Sequence, residues 1–219
     1  MKNDTSSKII PFYGGIKPEL FEIERRCMDR KGKVIKYLDE RLPDGLVLDV
    51  GAGNGFTAEK LIREGRLVIP MEPDEKMIDC SKNLIWSNGV AQSIPFHTNT
   101  FDAMYSTWAF FFDGIKDIDK GISEVERVVK DGGRIIIIDN YGDDEFCSYS
   151  PNDITSSVDP WSERGFEYEV IHTEFIFDDV QEAKELLTFY FGEQGKQVNK
   201  TVLEYKVVAY TKVLNKTKR

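Results

Sequence analysis

The sequence predicts an α/β fold in which a doubly wound parallel sheet carries helices on both faces. Short apolar runs alternate along the chain with segments of helical periodicity, which is the pattern of strand–helix–strand units. A glycine-rich turn follows the first apolar run, and the composition, 41% hydrophobic and 31% charged, is typical of a globular protein. At 219 residues the chain can bury one core, so we expect a single domain over residues 1–219.

The chain begins with a predicted helical segment. Apolar residues recur near the helical period over residues 18–42, and Gly32 is expected to break or bend this segment. An apolar run, a periodic stretch and a second apolar run come next. We therefore predict a strand, a helix and a strand at residues 46–50, 57–64 and 66–71.

The middle of the chain continues the alternation. The segment 117–130 is strongly periodic and ends at Asp-Gly-Gly, and the apolar run that follows it is typical of a buried central strand. We predict helices at residues 74–83 and 117–130, and strands at residues 86–91, 101–106 and 135–138.

The last third begins with a segment rich in Ser, Asp, Asn and Gly, residues 141–159, which predicts a loop or lid. After a short W-S-E-R turn we predict a strand, a helix and a last strand at residues 166–177, 179–192 and 202–213. In such sheets a ligand binds beyond the carboxyl ends of the strands at the topological switch point, which is where the glycine-rich turn lies if the first strand is central.

The segment V-L-D-V-G-A-G-N-G-F, residues 47–56, is the most informative motif. It places Asp49 at the end of a strand and glycines at Gly51, Gly53 and Gly55. Glycine adopts positive φ and has no Cβ, so this turn would give a ligand direct access to main-chain N–H groups. We expect a cofactor to bind there.

Two cofactor classes use such a turn. The dinucleotide pattern G-x-G-x-x-G/A fails from Gly51 because Phe56 occupies its last position, but it is met from Gly53 through Ala58. A nicotinamide cofactor therefore remains an alternative. Glu72 ends the second strand 21 residues after Gly51, where a carboxylate suits the two hydroxyls of a ribose.

Two further segments carry a resemblance to a known family. Residues 91–106 read A-Q-S-I-P-F-H-T-N-T-F-D-A-M-Y-S, and residues 124–138 read E-V-E-R-V-V-K-D-G-G-R-I-I-I-I. Together with D-x-G-x-G-x-G from Asp49, they resemble the class I S-adenosylmethionine-dependent methyltransferases, in the small-molecule (methyltransferase type 11-like) branch. The resemblance covers about residues 46–139.

The resemblance implies a Rossmann-like, mostly parallel, seven-stranded sheet whose last strand is antiparallel. It divides the domain into an N-terminal helical lid or prelude at residues 1–44, a cofactor-binding half at 45–139 and a substrate-side half at 140–219.

The resemblance also implies the cofactor, S-adenosyl-L-methionine, and its contacts. Those expected around the methionine moiety are Asp49, Gly51, Ala52, Gly53 and Gly55, with Ser106, Thr107 and Trp108 near its amino group. Those expected at the ribose and adenine are Glu72, Pro73, Met77, Ala91 and Gln92, with Tyr13 in a lid over the cofactor.

The chain departs from the family pattern in three places. Val90 stands where the family often has an Asp that accepts from the adenine amino group, so that contact comes from Gln92, comes from the backbone or is missing. Asp131 replaces a turn Pro. Phe111 and Phe112 stand where relatives often carry a His, which removes one polar group from the substrate side.

The aromatic segment W-A-F-F-F at residues 108–112 has two interpretations. Its rings could be core for the helix at 117–130. Alternatively they form an apolar wall that excludes water and faces the sulfonium cation, an attraction worth roughly 0.5–2 kcal/mol, with Trp108 as the best candidate. Phe12 and Tyr13 also have two interpretations, either as a lid over the cofactor or as part of a mobile chain end.

Methyl transfer from a sulfonium is an in-line displacement that alignment and water exclusion can promote, so no dedicated catalytic residue is strictly required. A general base matters only for a nucleophile of high pKa. The candidates near predicted strand ends are Tyr105, Asp139, Tyr141 and His172, and the sequence does not choose among them.

The bulk properties limit the partners. A net charge of −9 opposes a nucleic-acid partner, because such partners are bound mainly through Lys and Arg. No apolar run approaches the length of a signal or membrane segment, so we expect a cytoplasmic protein, monomeric or homodimeric. Three widely spaced cysteines and two histidines predict no disulfide framework and no metal site.

These observations favour methyl transfer from S-adenosylmethionine to a small, partly apolar acceptor. The N-P-P-Y type motif of amino-directed methylation of adenine or glutamine is absent. The alternatives are a non-catalytic or regulatory cofactor-binding protein of the same fold, a nicotinamide-dependent oxidoreductase, and a methyltransferase acting on protein or RNA.

Overall fold

A computed structural model describes residues 13–110, 118–150, 152 and 156–216. Phe12, Phe111 and Phe112 lie outside these ranges, as does the side chain of Tyr13. The helices are α1 Pro18–Cys27, α2 Lys33–Arg41, α3 Phe56–Leu61, α4 Ile118–Val128, α5 Asp159–Glu163 and α6 Val180–Phe191. The strands are β1 Gly45–Val50, β2 Arg66–Met71, β3 Phe101–Thr107, β4 Val129–Asn140, β5 Glu167–Ile176 and β6 Val202–Val213.

The predicted N-terminal helical segment is divided at Gly32, which has a φ of 70° and precedes α2. Asp29 caps this helix, because its carboxylate oxygens accept the N–H groups of Lys33 at 3.0 Å and Val34 at 2.8 Å. The predicted break at Gly32 is confirmed, and two amphipathic helices result.

The described strands form one sheet in the order β2-β1-β3-β4-β6-β5. Strands β2, β1, β3 and β4 are parallel, and β6 is antiparallel to both of its neighbours. The antiparallel last strand is therefore confirmed. The chain passes from β1 to β2 on one side and then returns to β3 on the other, so the switch point lies at the carboxyl end of β1.

Within the described residues the sheet has six strands, and the predicted third strand at 86–91 is wrong. Only Ser87 pairs with the edge of β2, through an N–H donated to Pro70 O at 2.9 Å and a carbonyl that accepts from Glu72 N at 3.1 Å. This segment contains Asn88 and Gly89, residue types that are depleted in strands. The edge of the sheet is covered by a loop.

The predicted helix at 74–83 is also wrong, since the chain forms successive turns there. The Asp74 carboxylate accepts the N–H of Lys76 at 3.0 Å, and the Asp79 carboxylate accepts the N–H of Ser81 at 3.0 Å. Such local side-chain bonds offer the backbone an alternative to helical hydrogen bonding.

The sheet separates two cores. One face is covered by α1, α2, α3 and α6, and we call it the α1 face. The other is covered by α4 and α5, and we call it the α4 face. Val47 of β1 belongs to the core of the α1 face. Because residues two apart on a strand point to the same face, Asp49 also lies on the α1 face.

Candidate functional site

The glycine turn follows β1 and is held by internal hydrogen bonds. Gly51, Gly53 and Gly55 have φ values of 74°, 55° and 76°. The N–H groups of Gly51 and Ala52 donate to Met71 O at 2.9 and 3.1 Å, and that of Gly55 donates to Ala52 O at 2.9 Å. These N–H groups are therefore occupied by hydrogen bonds within the protein, contrary to the expectation that they face a ligand. The glycines are needed instead because they adopt positive φ and allow neighbouring side chains to approach the backbone closely.

Asp49 is an almost fully buried acid beside this turn, 1% exposed. Its Oδ2 atom accepts the hydroxyl of Tyr105 at 2.9 Å, whereas its Oδ1 atom is buried with no hydrogen-bond partner among the described residues. Burial raises the pKa of Asp49 to about 8 against the opposing effect of the Tyr105 bond, and the nearby Glu72 adds to the rise. A cation or donor that reached Oδ1 would relieve this cost.

Glu72 connects the turn to the loop after β2. Its Oε2 atom accepts the N–H of Gly53 at 2.8 Å, and its Oε1 atom accepts that of Asp74 at 3.0 Å. A carboxylate has about four lone-pair sites, so each oxygen keeps one for a further donor. Asn88, which sequence reasoning missed, donates to Glu72 O at 3.1 Å and Pro73 O at 3.2 Å and fixes this loop.

The N-terminal segment lies over the turn. An ideal Cβ placed on Gly53 would lie 3.5 Å from Phe21 Cζ and 3.7 Å from Met77 Cε, and one on Gly14 would lie 2.8 Å from Met77 Cε. Phe21 of α1 and the predicted adenine contact Met77 therefore meet above the turn. The backbone of Tyr13 belongs to the same short helical turn as Gly14.

The segment after β3 contacts the turn from the other side. An ideal Cβ on Gly51 would lie only 2.4 Å from Ala109 Cβ. Trp108 has a φ of 50°, and its Nε1 atom donates to the hydroxyl of Tyr205 at 2.8 Å, while that hydroxyl donates in turn to Asn140. This chain of bonds fixes the indole ring at the rim of the site.

Arg25 completes the site and was not predicted from the sequence. Its side chain is 11% exposed, and its guanidinium lies 5.3 Å from the Trp108 ring centroid and 5.4 Å from that of Phe21. Its Nε atom is buried without a partner among the residues described. The available signal is helical spacing, since Arg25 follows Phe21 by one turn whereas Arg26 does not.

Other predicted contacts have structural partners. Ser106 is fully buried and donates to Val50 O at 2.7 Å, which joins β3 to β1. Thr107 ends β3. Ala91 packs against α4, where an ideal Cβ on Gly121 would lie 3.6 Å from it, and Gln92 is partly exposed on the same loop.

The four base candidates are not brought together. Tyr105 is buried and its pKa is raised well above 10, chiefly by burial, so it serves as a donor to Asp49. His172 lies on edge strand β5 with its side chain 66% exposed, and three strands separate β5 from β1. Asp139 and Tyr141 lie at the carboxyl end of β4, and burial raises the pKa of Asp139 to about 6.

Cys27 and Cys147 are buried free thiols, and Cys80 is exposed. Within residues 13–110, 118–150, 152 and 156–216, no group of three His, Cys, Asp or Glu side chains could hold a metal ion. None of the helices in those ranges is long and apolar enough to cross a membrane.

The chain is similar to known methyltransferases. Residues 48–137 match the model of a family described as "Methyltransferase domain". The chain is 35% identical over 109 residues to a demethylmenaquinone methyltransferase of Streptomyces avermitilis, which covers 48% of this chain and 46% of the relative. It is 29% identical over 150 residues to the ubiquinone/menaquinone biosynthesis C-methyltransferase UbiE of Geobacter sulfurreducens, which covers 62% of this chain and 56% of the relative. The chain thus spans about half the length of these curated relatives.

Among solved structures, the chain resembles the YcgJ protein of Bacillus subtilis with a TM-score of 0.56. The sequence identity is 21%, and the alignment covers 84% of this chain and 97% of the YcgJ chain. At this level of identity the likeness concerns the fold.

Proposed function

Because this chain belongs to the class I S-adenosylmethionine-dependent methyltransferases, we propose that it binds S-adenosylmethionine at the glycine turn and transfers its methyl group to a small, partly apolar acceptor. When bound, this cofactor supplies a methyl group already activated on a sulfonium. The chain's own task is then to bind, align and exclude water.

One observation carries the cofactor assignment, namely two buried side-chain atoms, one acceptor and one donor, that lack hydrogen-bond partners among the described residues. Asp49 Oδ1 and Arg25 Nε both belong to the site. The methionine end of the cofactor bears an ammonium and a carboxylate, so the pair fits it: Asp49 would accept from the ammonium and Arg25 would donate to the carboxylate.

The remaining residues fit the rest of the cofactor. Glu72 keeps one lone-pair site on each oxygen for the ribose hydroxyls. Met77 and Phe21 lie above the turn as apolar cover, and the Trp108 ring forms an apolar rim. The acceptor is proposed to be small and partly apolar because this rim is aromatic and the net charge of −9 opposes polyanions. Relatives named as methyltransferases of quinone biosynthesis are compatible with that class.

Calorimetric titration with S-adenosylmethionine, S-adenosylhomocysteine and NAD tests the cofactor assignment on wild type, Glu72→Gln and Glu75→Gln. We expect micromolar binding of the first two ligands, at least a tenfold loss in Glu72→Gln, equivalent to about 1.4 kcal/mol, and no loss in Glu75→Gln, whose side chain is exposed. Preference for NAD, or equal effects of the two substitutions, would overturn the assignment.

Turnover tests the transfer itself. S-adenosylhomocysteine production is measured with small phenols and quinols, with RNA and with a mixed protein substrate. We expect product only with the small compounds. Binding of S-adenosylmethionine without product from any of these would favour a non-catalytic protein of the same fold.

A further inference from the structure

A cavity of about 230 Å³ lies between the carboxyl end of β4, the start of α4 and helix α5. Its wall includes Ile118, Pro160 and Trp161 as apolar groups, and Asp139, Ser156 and Arg164 as polar groups. None of the residues assigned to the cofactor contributes to this wall.

The cavity lies on the other face of the sheet from the buried oxygen of Asp49. Ile138 of β4 packs in the core of the α1 face, so the next residue, Asp139, points to the α4 face. Trp161 belongs to the α4-face core, where it stacks on Tyr210 with 4.9 Å between ring centroids and 23° between planes. The cavity is therefore distinct from the cofactor site.

The size and the apolar walls favour a single ring. An engineered protein cavity of about 150 Å³ is known to bind benzene, so about 230 Å³ leaves room for one six-membered ring with substituents. Trp161, which stacks on Tyr210 and is 6% exposed, forms a rigid apolar part of the wall.

The polar groups require a donor on that ring. Among the described residues, the Asp139 carboxylate accepts a hydrogen bond only from the adjacent N–H of Asn140, at 2.8 Å. Arg164 does not neutralise it, because the guanidinium donates to Asp119 and to Pro160 O at 2.8 and 2.7 Å. The Ser156 hydroxyl is paired with Tyr210 OH at 2.7 Å. The cavity thus offers an acceptor without a competing cation.

We propose that this cavity binds a monocyclic aromatic compound that bears one donating hydroxyl or amino group, with that group on Asp139 and the ring in the apolar part of the wall formed by Ile118, Pro160 and Trp161. This proposal does not depend on cofactor binding, so it is tested separately from methyl transfer.

The test uses the full chain and four probes: phenol, benzylamine, toluene and benzoate. Their dissociation constants are measured by ligand-observed NMR titration. Phenol and benzylamine are expected to bind at least tenfold more tightly than toluene, and benzoate is expected not to bind. Equal binding of phenol and toluene, or no binding of any probe, would overturn the proposal.

Two variants locate the probes. Asp139→Leu keeps a similar volume but has no acceptor, so the preference for phenol over toluene is expected to disappear, while Asp44→Leu, an exposed control, keeps it. Ile118→Trp fills the cavity with its own ring and is expected to abolish binding of both probes. If Ile118→Trp binds phenol like wild type, the probe lies elsewhere and the proposal fails, whatever the folding of Asp139→Leu.

Discussion

Asp49 Oδ1 and Arg25 Nε are buried without a hydrogen-bond partner among the described residues, although both belong to ionisable side chains. A buried unsatisfied polar atom costs about 1–3 kcal/mol, and more when the group is charged. An unsatisfied acceptor and an unsatisfied donor are what the ammonium and the carboxylate of the proposed cofactor would complement. We therefore expect these two atoms to lower the stability of the free protein and the proposed cofactor to offset that cost.

Arg25→Met tests the proposed role of Arg25 in cofactor binding. We expect at least a tenfold loss of affinity for S-adenosylmethionine by calorimetry, because the proposed donor to its carboxylate is removed. The change also removes the contact of 3.3 Å between Arg25 Nη2 and Glu24 Oε1, so the free energy of unfolding is measured in parallel. The matched control is Arg26→Met on the same helix. Arg26 pairs with Asp178 and Glu182 in exposed ion pairs, so this change should leave the affinity unaltered. Equal losses in the two variants would contradict the role of Arg25.

Asp49→Asn tests the acid through pH. The folded-state pKa of Asp49 is raised from 3.8 to about 8, so the folded protein retains a proton that the unfolded chain releases. This contribution to stability is complete below about pH 4 and is lost as the pH rises to about 8. Relative to wild type, Asp49→Asn should therefore gain stability across this window, reaching about 1–3 kcal/mol at pH 8 by urea unfolding.

Asp102→Asn is the control of opposite sign. Partial burial opposes the shift, but the Lys130 ammonium and the N–H of Leu46 lower the pKa of Asp102 below its usual value. Its contribution is present above the unfolded-state pKa and lost in acid, so this variant should be less stable than wild type at pH 8 and equal to it in acid. A common pH trend for both variants would contradict the assigned pKa of Asp49.

At the scale of elements, the glycine turn is confined between β2, α1 and the segment after β3. Its N–H groups bind within the protein, so its shape is set by packing against Ala109, Phe21 and Met77. The conformation and position of the turn are thus fixed by contacts with three separate elements.

Gly51→Ala and Gly132→Ala separate the two demands on such a glycine. Both residues have a φ of 74°, but a Cβ at Gly51 would meet Ala109 Cβ at 2.4 Å, whereas no atom of the described residues lies within 4 Å of one at Gly132. Each change should cost about 1–2 kcal/mol for the left-handed backbone. Gly51→Ala should cost roughly 1–3 kcal/mol more from overpacking, measured as the free energy of unfolding. An equal loss of stability in the two variants would show that Ala109 moves to accommodate the added Cβ.

At the scale of the whole molecule, Arg66 joins the sheet to the N-terminal helices. Its side chain is 0% exposed, and it donates to the carboxylate and carbonyl of Asp39 and to the carbonyls of Leu42, Pro43 and Leu61. These acceptors come from α2, the following loop and α3. One guanidinium therefore satisfies backbone groups of three elements at the amino end of β2.

Arg66→Met should destabilise the protein by about 3 kcal/mol or more in urea unfolding, because it leaves several backbone carbonyls without their donor and each buried unsatisfied group costs about 1–3 kcal/mol. Arg63→Met is the control. Arg63 makes only exposed ion pairs with Asp39 and Asp44, so we expect a change within about 1 kcal/mol. A small effect at Arg66 would show that water replaces its bonds.

Local sequence patterns were sufficient to predict several helices and strands. The bounds of β2 and β6 match their predicted ranges, and the break at Gly32 was correct, because periodicity and glycine conformation act over a few residues. The family resemblance, carried by Asp49 and the glycine turn, was likewise local. The segments at 74–83 and 86–91 were predicted wrongly because side-chain-to-backbone bonds and an incomplete edge pairing outweigh short apolar patterns.

Which charged side chains are buried, and which groups contact each other, depends on how distant segments pack. Arg25 and Arg26 are adjacent and identical in type, yet packing against Phe21 and Trp108 buries the first, whereas ion pairs keep the second at the surface. The occupied N–H groups of the glycine turn and the cavity beside Asp139 also depend on contacts between distant segments. Desolvation and pairing are properties of the packed molecule, so no local pattern encodes them.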